Sequence, residues 1–214
     1  MKKLLVSTLF AFMGMFIATA QSFEGVIEFR KQSTTDTVNY VYYVKGDKVR
    51  IDEIGSKSKK AEGSFIIDLK NQSILSMSHD RKIYFTQAGG TKTAPAGKPE
   101  VKKTGNVKTI QGTKCSEYIV TNLEDSIKIT YWMAANNYDF FFKLLKVLNR
   151  KDKSAVYIQH IAGAEGMFPF LSSQVNLSTN KEEVRMEATK VAKKTIESSV
   201  FDIPADYKEF QMQK

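Results

Sequence analysis

Residues 138–149 read YDFFFKLLKVLN: three Phe side by side, then Leu, Leu, Val and Leu, in a chain that otherwise alternates like a sheet. At about 100° per residue, Asp139, Lys143 and Lys146 fall in a stripe of roughly 60°, and Phe140, Phe141, Phe142, Leu144, Leu145, Val147 and Leu148 cover most of the rest. Asn136 or Asn137 can cap the start, and Asp139 sits in the first turn, where the helix dipole favours an anion. Lys146, Arg150 and Lys151 sit at the other end, where it favours cations. Asp139 and Lys143 are also spaced for an i, i+4 pair. This stretch is therefore read as a helix that is apolar over more than half its circumference. One contact with one sheet does not normally consume that much apolar surface.

Strand patterns flank it on both sides. Phe23, Gly25, Ile27 and Phe29 share one parity, the mark of a half-buried strand. Strands over 39–45 and 48–53 are joined by Lys45-Gly46-Asp47, where Gly takes the positive φ of a tight hairpin. Strands over 65–69, 74–77 and 83–85 follow with short links, which predicts an antiparallel meander. Further strands are expected at 106–110, 114–122 and 126–133 before the helix, then at 155–162, 168–177 and 182–193, with Asn180 in a hairpin turn. Residues 88–105, AGGTKTAPAGKPEVKKTG, have almost nothing to bury and are expected to form a flexible surface loop. Phe201, Pro204 and Tyr207 read as a tail that clamps one end of the sheet. Together these features predict a mainly β domain spanning 21–214, an antiparallel sheet with one amphipathic helix.

The N-terminus, MKKLLVSTLFAFMGMFIATA, has Lys2 and Lys3 ahead of an apolar stretch and an A-x-A site at Ala18–Ala20. It predicts a cleaved secretory signal at 1–20 and a periplasmic or secreted product. No Cys follows the cleavage site to carry a lipid anchor, and no later run reaches the ~20 apolar residues of a membrane-spanning helix. The chain carries 32 basic and 23 acidic side chains, a net charge of +9 that loses the two lysines with the signal. The basic residues are dispersed among acids, not gathered on an aromatic platform, and nucleic-acid binding is not expected. The single Cys115 reads as a small apolar filler of its strand, His79 as a solvated turn residue and His160 as a strand residue.

No Cys/His pairing, metal-ligand spacing, nucleophile elbow or phosphate-binding Gly loop is present, and Glu124-Asp125 and Glu182-Glu183 fall in expected turns. The reading is a non-enzyme without cofactor or metal. Aromatic residues on the strands are either plain core or the lining of an apolar pocket. The pocket candidates are Phe140, Phe141, Phe142, Leu144, Leu145 and Leu148 on the helix, with Tyr42, Trp132 and Phe168 on strands.

Five short segments, QSFEGVIEF, YYVKGDKVRID, FIIDLKNQSILSM, IQGTKCSEYIV and SSVFDIPADYKEF, together with Tyr131-Trp132, resemble an exported bacterial family known as domain of unknown function 4412. That family is similar in fold to the lipoprotein carriers LolA and LolB, in which an unclosed curved sheet and a helical lid enclose a hydrophobic cavity. The resemblance implies a curved antiparallel half-barrel with residues 138–149 as its lid or plug, and a lipid or a lipoprotein's acyl chain as the partner. None of the carriers' functional residues maps onto this chain. The alternative is an envelope interaction protein in which the helix is ordinary core and a surface, such as 88–105, docks another protein.

Overall fold

The computed structural model describes residues 22–89, 97–135, 137–148 and 152–210. Strands β1 (Gly25–Ser33), β2 (Thr37–Lys45), β3 (Lys48–Ile54), β4 (Ala61–Asp68), β5 (Ser73–Ser78) and β6 (Ile83–Ala88) form the first meander. Strands β7 (Glu100–Ile110), β8 (Thr113–Asn122), β9 (Ile127–Ala135), β10 (Met167–Asn176) and β11 (Lys181–Lys193) form the second. Helices α1 (Asp139–Leu148) and α2 (Lys153–Tyr157) fill the connection from β9 to β10. Strand β11 returns beside β1 and joins the two meanders into one twelve-stranded sheet, with the two-residue β12 (Lys208–Glu209) added parallel to β6.

Register explains which side chains meet. Ile27 faces Tyr42, Tyr42 faces Ile51 and Ile51 faces Phe65, so one parity of four adjacent strands builds one apolar face. Helix α1 touches both β5 and β10, which lie six positions apart in the sheet. Six strand spacings of a flat sheet would cover about 29 Å, whereas a ten-residue helix is only about 15 Å long. The sheet is bent around the helix, an open half-barrel, and α1 lies in its concave side. The opposite face carries a smaller cluster, Val26, Ile196 and Phe201, where the C-terminal segment crosses the sheet.

Gly46 (φ 56°) and Asn180 (φ 54°) take the left-handed turn positions expected of them. Residues 155–162 are not a strand: α2 and a following 3-10 turn, Ile158–His160, occupy this place, and His160 is exposed. The β-branched and aromatic content of AVYI suggested a strand, but Asp152 caps the segment through Ser154 N (3.0 Å), and Ser154, Tyr157, Ile158 and Ile161 are buried at helical spacing. The expected loop at 88–105 is also shorter at its C-terminal end, because β7 begins at Glu100. Its side chains are exposed on both faces, which erases the alternation by which a strand is recognised. Residues 90–96 of that loop lie outside the described residues, as do the signal at 1–20 and the helix-end cations Arg150 and Lys151.

His79 is not solvated. Ser64 donates to Asp52 Oδ1 (2.5 Å), so its oxygen accepts from His79 Nε2–H (2.6 Å), and His79 Nδ1 accepts from the Tyr207 hydroxyl (2.5 Å). Arg50 completes the chain through Asp52 (2.7 Å) and the carbonyl of Val200 (2.9 Å). The C-terminal clamp is thus fastened by polar contacts as well as by Phe201. Burial, then the Arg50 charge, holds His79 below its usual 6.5, against Asp52 and Asp80, which push it up. An unfolded His takes up its proton near 6.5, so the folded chain binds fewer protons in the window just beneath that value. This contribution to stability is complete above pH 6.5 and is lost as the pH falls below it towards the folded value. Urea midpoints measured across that window should fall more steeply for the native chain than for His79→Gln.

Candidate functional site

The concave face is where apolar chemistry concentrates. Six α1 side chains, Phe140, Phe141, Phe142, Leu144, Leu145 and Val147, are buried against it, while Asp139, Lys143 and Lys146 stay exposed. The polar stripe read from the sequence is the solvent-facing edge of the helix. Lys143 does not pair with Asp139 but reaches across to Asp47 (3.4 Å) in the hairpin between β2 and β3. That contact ties α1 to a strand turn, which the helix-local spacing rule does not consider.

At one end of the trough the aromatic rings form a tight cluster. Phe168 is fully buried, with ring centroids of Phe141, Phe29 and Tyr138 at 4.8, 5.3 and 5.3 Å. Phe140 stacks on Phe168 at 6.0 Å, and Phe142 packs edge-on to Phe141 at 5.9 Å. Burial pushes the Tyr138 phenol up to about 12. Between α1, α2 and the sheet a void of about 50 Å³ remains, lined by Tyr42, Phe141, Leu144, Leu145 and Leu148 from the sequence-derived set. Phe140, Phe142 and Phe168 belong instead to the ring cluster. Trp132 does not line the void: it is half-buried against the core, and Lys108 Nζ sits 4.0 Å from its ring centroid. Burial lowers the Lys108 ammonium below its usual value.

Sequence reasoning missed the polar end of the void, formed by Asp152, Ser154 and Ser172. The signal available was parity: Ser172 pairs with Tyr131 and Met186, so it must face inward with them. The two helices are held differently. Helix α2 is fixed by hydrogen bonds: Tyr131 OH donates to Ser154 O (2.8 Å), Asn122 Nδ2 donates to Tyr157 OH (2.8 Å), and the Tyr157 hydroxyl donates to Asp125. Lys31–Asp152 (2.6 Å) and Lys153–Asp125 (2.8 Å) add ion pairs. Burial raises the Tyr131 phenol well above its ordinary range, with the Asp152 charge adding to it, and burial and Asp125 do the same for Tyr157, so both stay donors. Among the described residues, α1 side chains make one polar contact with the sheet, the exposed Lys143–Asp47 pair. Among the same residues no three His, Cys, Asp or Glu side chains gather as metal ligands, and no helix is long and apolar enough to cross a membrane.

These features define a half-barrel protein with an apolar concave interior closed by a helical plug. The chain belongs to the family described as domain of unknown function (DUF4412), whose model matches residues 23–207. No curated protein matches the sequence. Among solved structures, an uncharacterized conserved protein from Thermus thermophilus has the same fold at a TM-score of 0.51 and 7% identity, covering 87% of this chain and 90% of that one. The LolA superfamily protein NE2245 from Nitrosomonas europaea aligns at a TM-score of 0.36 and 10% identity, over 86% and 91% of the two chains. PNGF-II aligns at 0.45 and 15% identity over 86% of this chain, which spans only 30% of the PNGF-II chain.

Proposed function

We propose that this is an exported, non-enzymatic binding or carrier protein that takes an apolar chain into the trough in place of α1. The observation that carries the reading is the contrast between the helices: α2 is bolted to the sheet by buried hydrogen bonds, and α1 rests in the trough on apolar packing plus one exposed ion pair. A void of about 50 Å³ is far below the roughly 300 Å³ or more of a small-molecule site, so binding requires α1 to move. Magnitudes permit the exchange. Burying six apolar side chains is worth about 1.5–3 kcal/mol each, or roughly 9–18 kcal/mol in all. A linear chain of about sixteen carbons at about 0.8 kcal/mol per methylene returns roughly 13 kcal/mol. One acyl chain of common length therefore offsets the displacement of α1.

The same small void favours a second reading, in which α1 is permanent core and the protein docks an envelope partner through its surface. Organic extraction and mass spectrometry of the protein purified from its native host separates the two. The carrier reading expects a copurifying single-chain or acylated molecule near one equivalent, and repeated recovery of an empty chain argues for the second. N-terminal sequencing of the same sample should begin at Gln21; a chain still starting at Met1 would remove the export half of the proposal.

A further inference from the structure

The polar end of the void has a feature that core packing leaves unused. Ser172 is 4% exposed and lines the void, and its hydroxyl has no hydrogen-bond partner among the described residues. The Ser172 oxygen is not sealed into the packing as Ser76 Oγ is, so it stays open to bond a water or a ligand group that enters the void. Its neighbours are committed. Ser154 Oγ leans on Gln174 Oε1 (3.5 Å), Asp152 Oδ1 accepts from Ser154 N (3.0 Å), and Asp152 Oδ2 accepts from Lys31 Nζ (2.6 Å). An arriving group therefore meets one free donor and acceptor beside a carboxylate whose cation is already engaged. Apart from the phenols of Tyr42 and Tyr131, the remaining lining, including Leu144, Leu145, Leu148 and Ile158, is apolar.

We infer that the α2 end of the void is a head-group subsite, in which Ser172 takes the uncharged, hydrogen-bonding head of a single-chain amphiphile, such as a glycerol monoester, and from which Asp152 repels anionic heads. This rests on the carrier reading above and adds the chemistry of the ligand's polar end. About 50 Å³ is already open at this end, room for about four water-sized groups, and it widens to admit a small head when α1 gives up its place to the chain. A carboxylate or phosphate head would enter a site of low dielectric next to Asp152 and suffer both desolvation and repulsion.

Displacement of the uncharged dye N-phenyl-1-naphthylamine from the full chain tests this, with monolauroylglycerol and laurate as competitors at mildly alkaline pH, where laurate is ionised. The ester should displace the dye at about tenfold lower concentration than laurate. Ser172→Ala, which deletes only an unpartnered hydroxyl, should take up the dye normally but bring the two competitors within about threefold of each other. Asp152→Asn, which keeps an oxygen for the Ser154 cap, should strengthen laurate alone. Laurate matching the ester on the native chain, or a preference unchanged by both variants, overturns the subsite and leaves chain binding standing; the void would then hold trapped water. Failure of the native chain to take up the dye overturns both the subsite and the carrier reading.

Discussion

Leu144→Asp lowers the melting temperature by roughly 10–20 °C and strengthens uptake of an apolar chain, because α1 no longer competes for the trough. Leu144 is 1% exposed and points from α1 into the void. Removing a buried Leu costs about 2–5 kcal/mol, and a carboxylate in its place cannot be buried without a partner. A loss near 5 kcal/mol corresponds to about 2–4 °C per kcal/mol for a chain of this size. The helix is expected to leave the trough while the sheet persists, because the strands are bonded to one another and α2 has its own anchors. Far-UV circular dichroism should keep its β signal in the cold. Trp132, the sole tryptophan, should keep its emission, since it lies outside the void lining and under Lys108. Lys143→Asp is the control: the same helix, on the exposed stripe, should change stability by no more than about 1 kcal/mol. Global unfolding of Leu144→Asp, with loss of the β signal, would mean that α1 is structural core, and the plug would have to be abandoned.

The features legible in the sequence were those written in local periodicity. The alternation of Phe23, Gly25, Ile27 and Phe29, the Gly46 turn, and the 3.6-residue stripe of Asp139, Lys143 and Lys146 each depend on near neighbours, and each took the predicted form. Curvature was not written in the periodicity, which gave only an antiparallel meander; it entered through the family resemblance carried by segments such as FIIDLKNQSILSM and SSVFDIPADYKEF. What stayed hidden was set by partners distant in sequence. Helix α2 looks like a strand until Asp152, Tyr131 and Asn122 are seen around it. The first half of strand β7, residues 100–105, looks like a loop because, at the edge of the sheet, it buries neither face. Trp132 was counted among the aromatics sent inward, but it packs against the core outside the void, beneath Lys108. His79 and Tyr207 are 128 positions apart, and no local signal links them.

That last pair leads to the second large effect. Asp52→Ala should destabilise the chain by about 3–5 kcal/mol, because it leaves Arg50 partly buried without its carboxylate and Ser64 without its acceptor. Asp52→Asn keeps an acceptor for both and should cost about 1.5–3 kcal/mol, the difference a charged partner makes. The loss should not stay local. Arg50 also holds the carbonyl of Val200, and Ser64 orients the His79 that receives Tyr207, so the C-terminal segment loses its fastening at two points. Limited proteolysis should cut Asp52→Ala within 194–210 well before the native chain. His79 should move further below its usual value, because Asp52 is a charge that raises it while Arg50 remains to lower it. Phe201, buried against Val26, is the apolar half of the same clamp. Once Asp52→Ala has freed the segment, Phe201→Ala has less left to remove. The double variant should therefore fall short of the summed single losses by at least about 1 kcal/mol. Strict additivity would mean that the polar chain and the Phe201 contact fasten independent pieces, and that Arg50 does not couple the strap to the sheet.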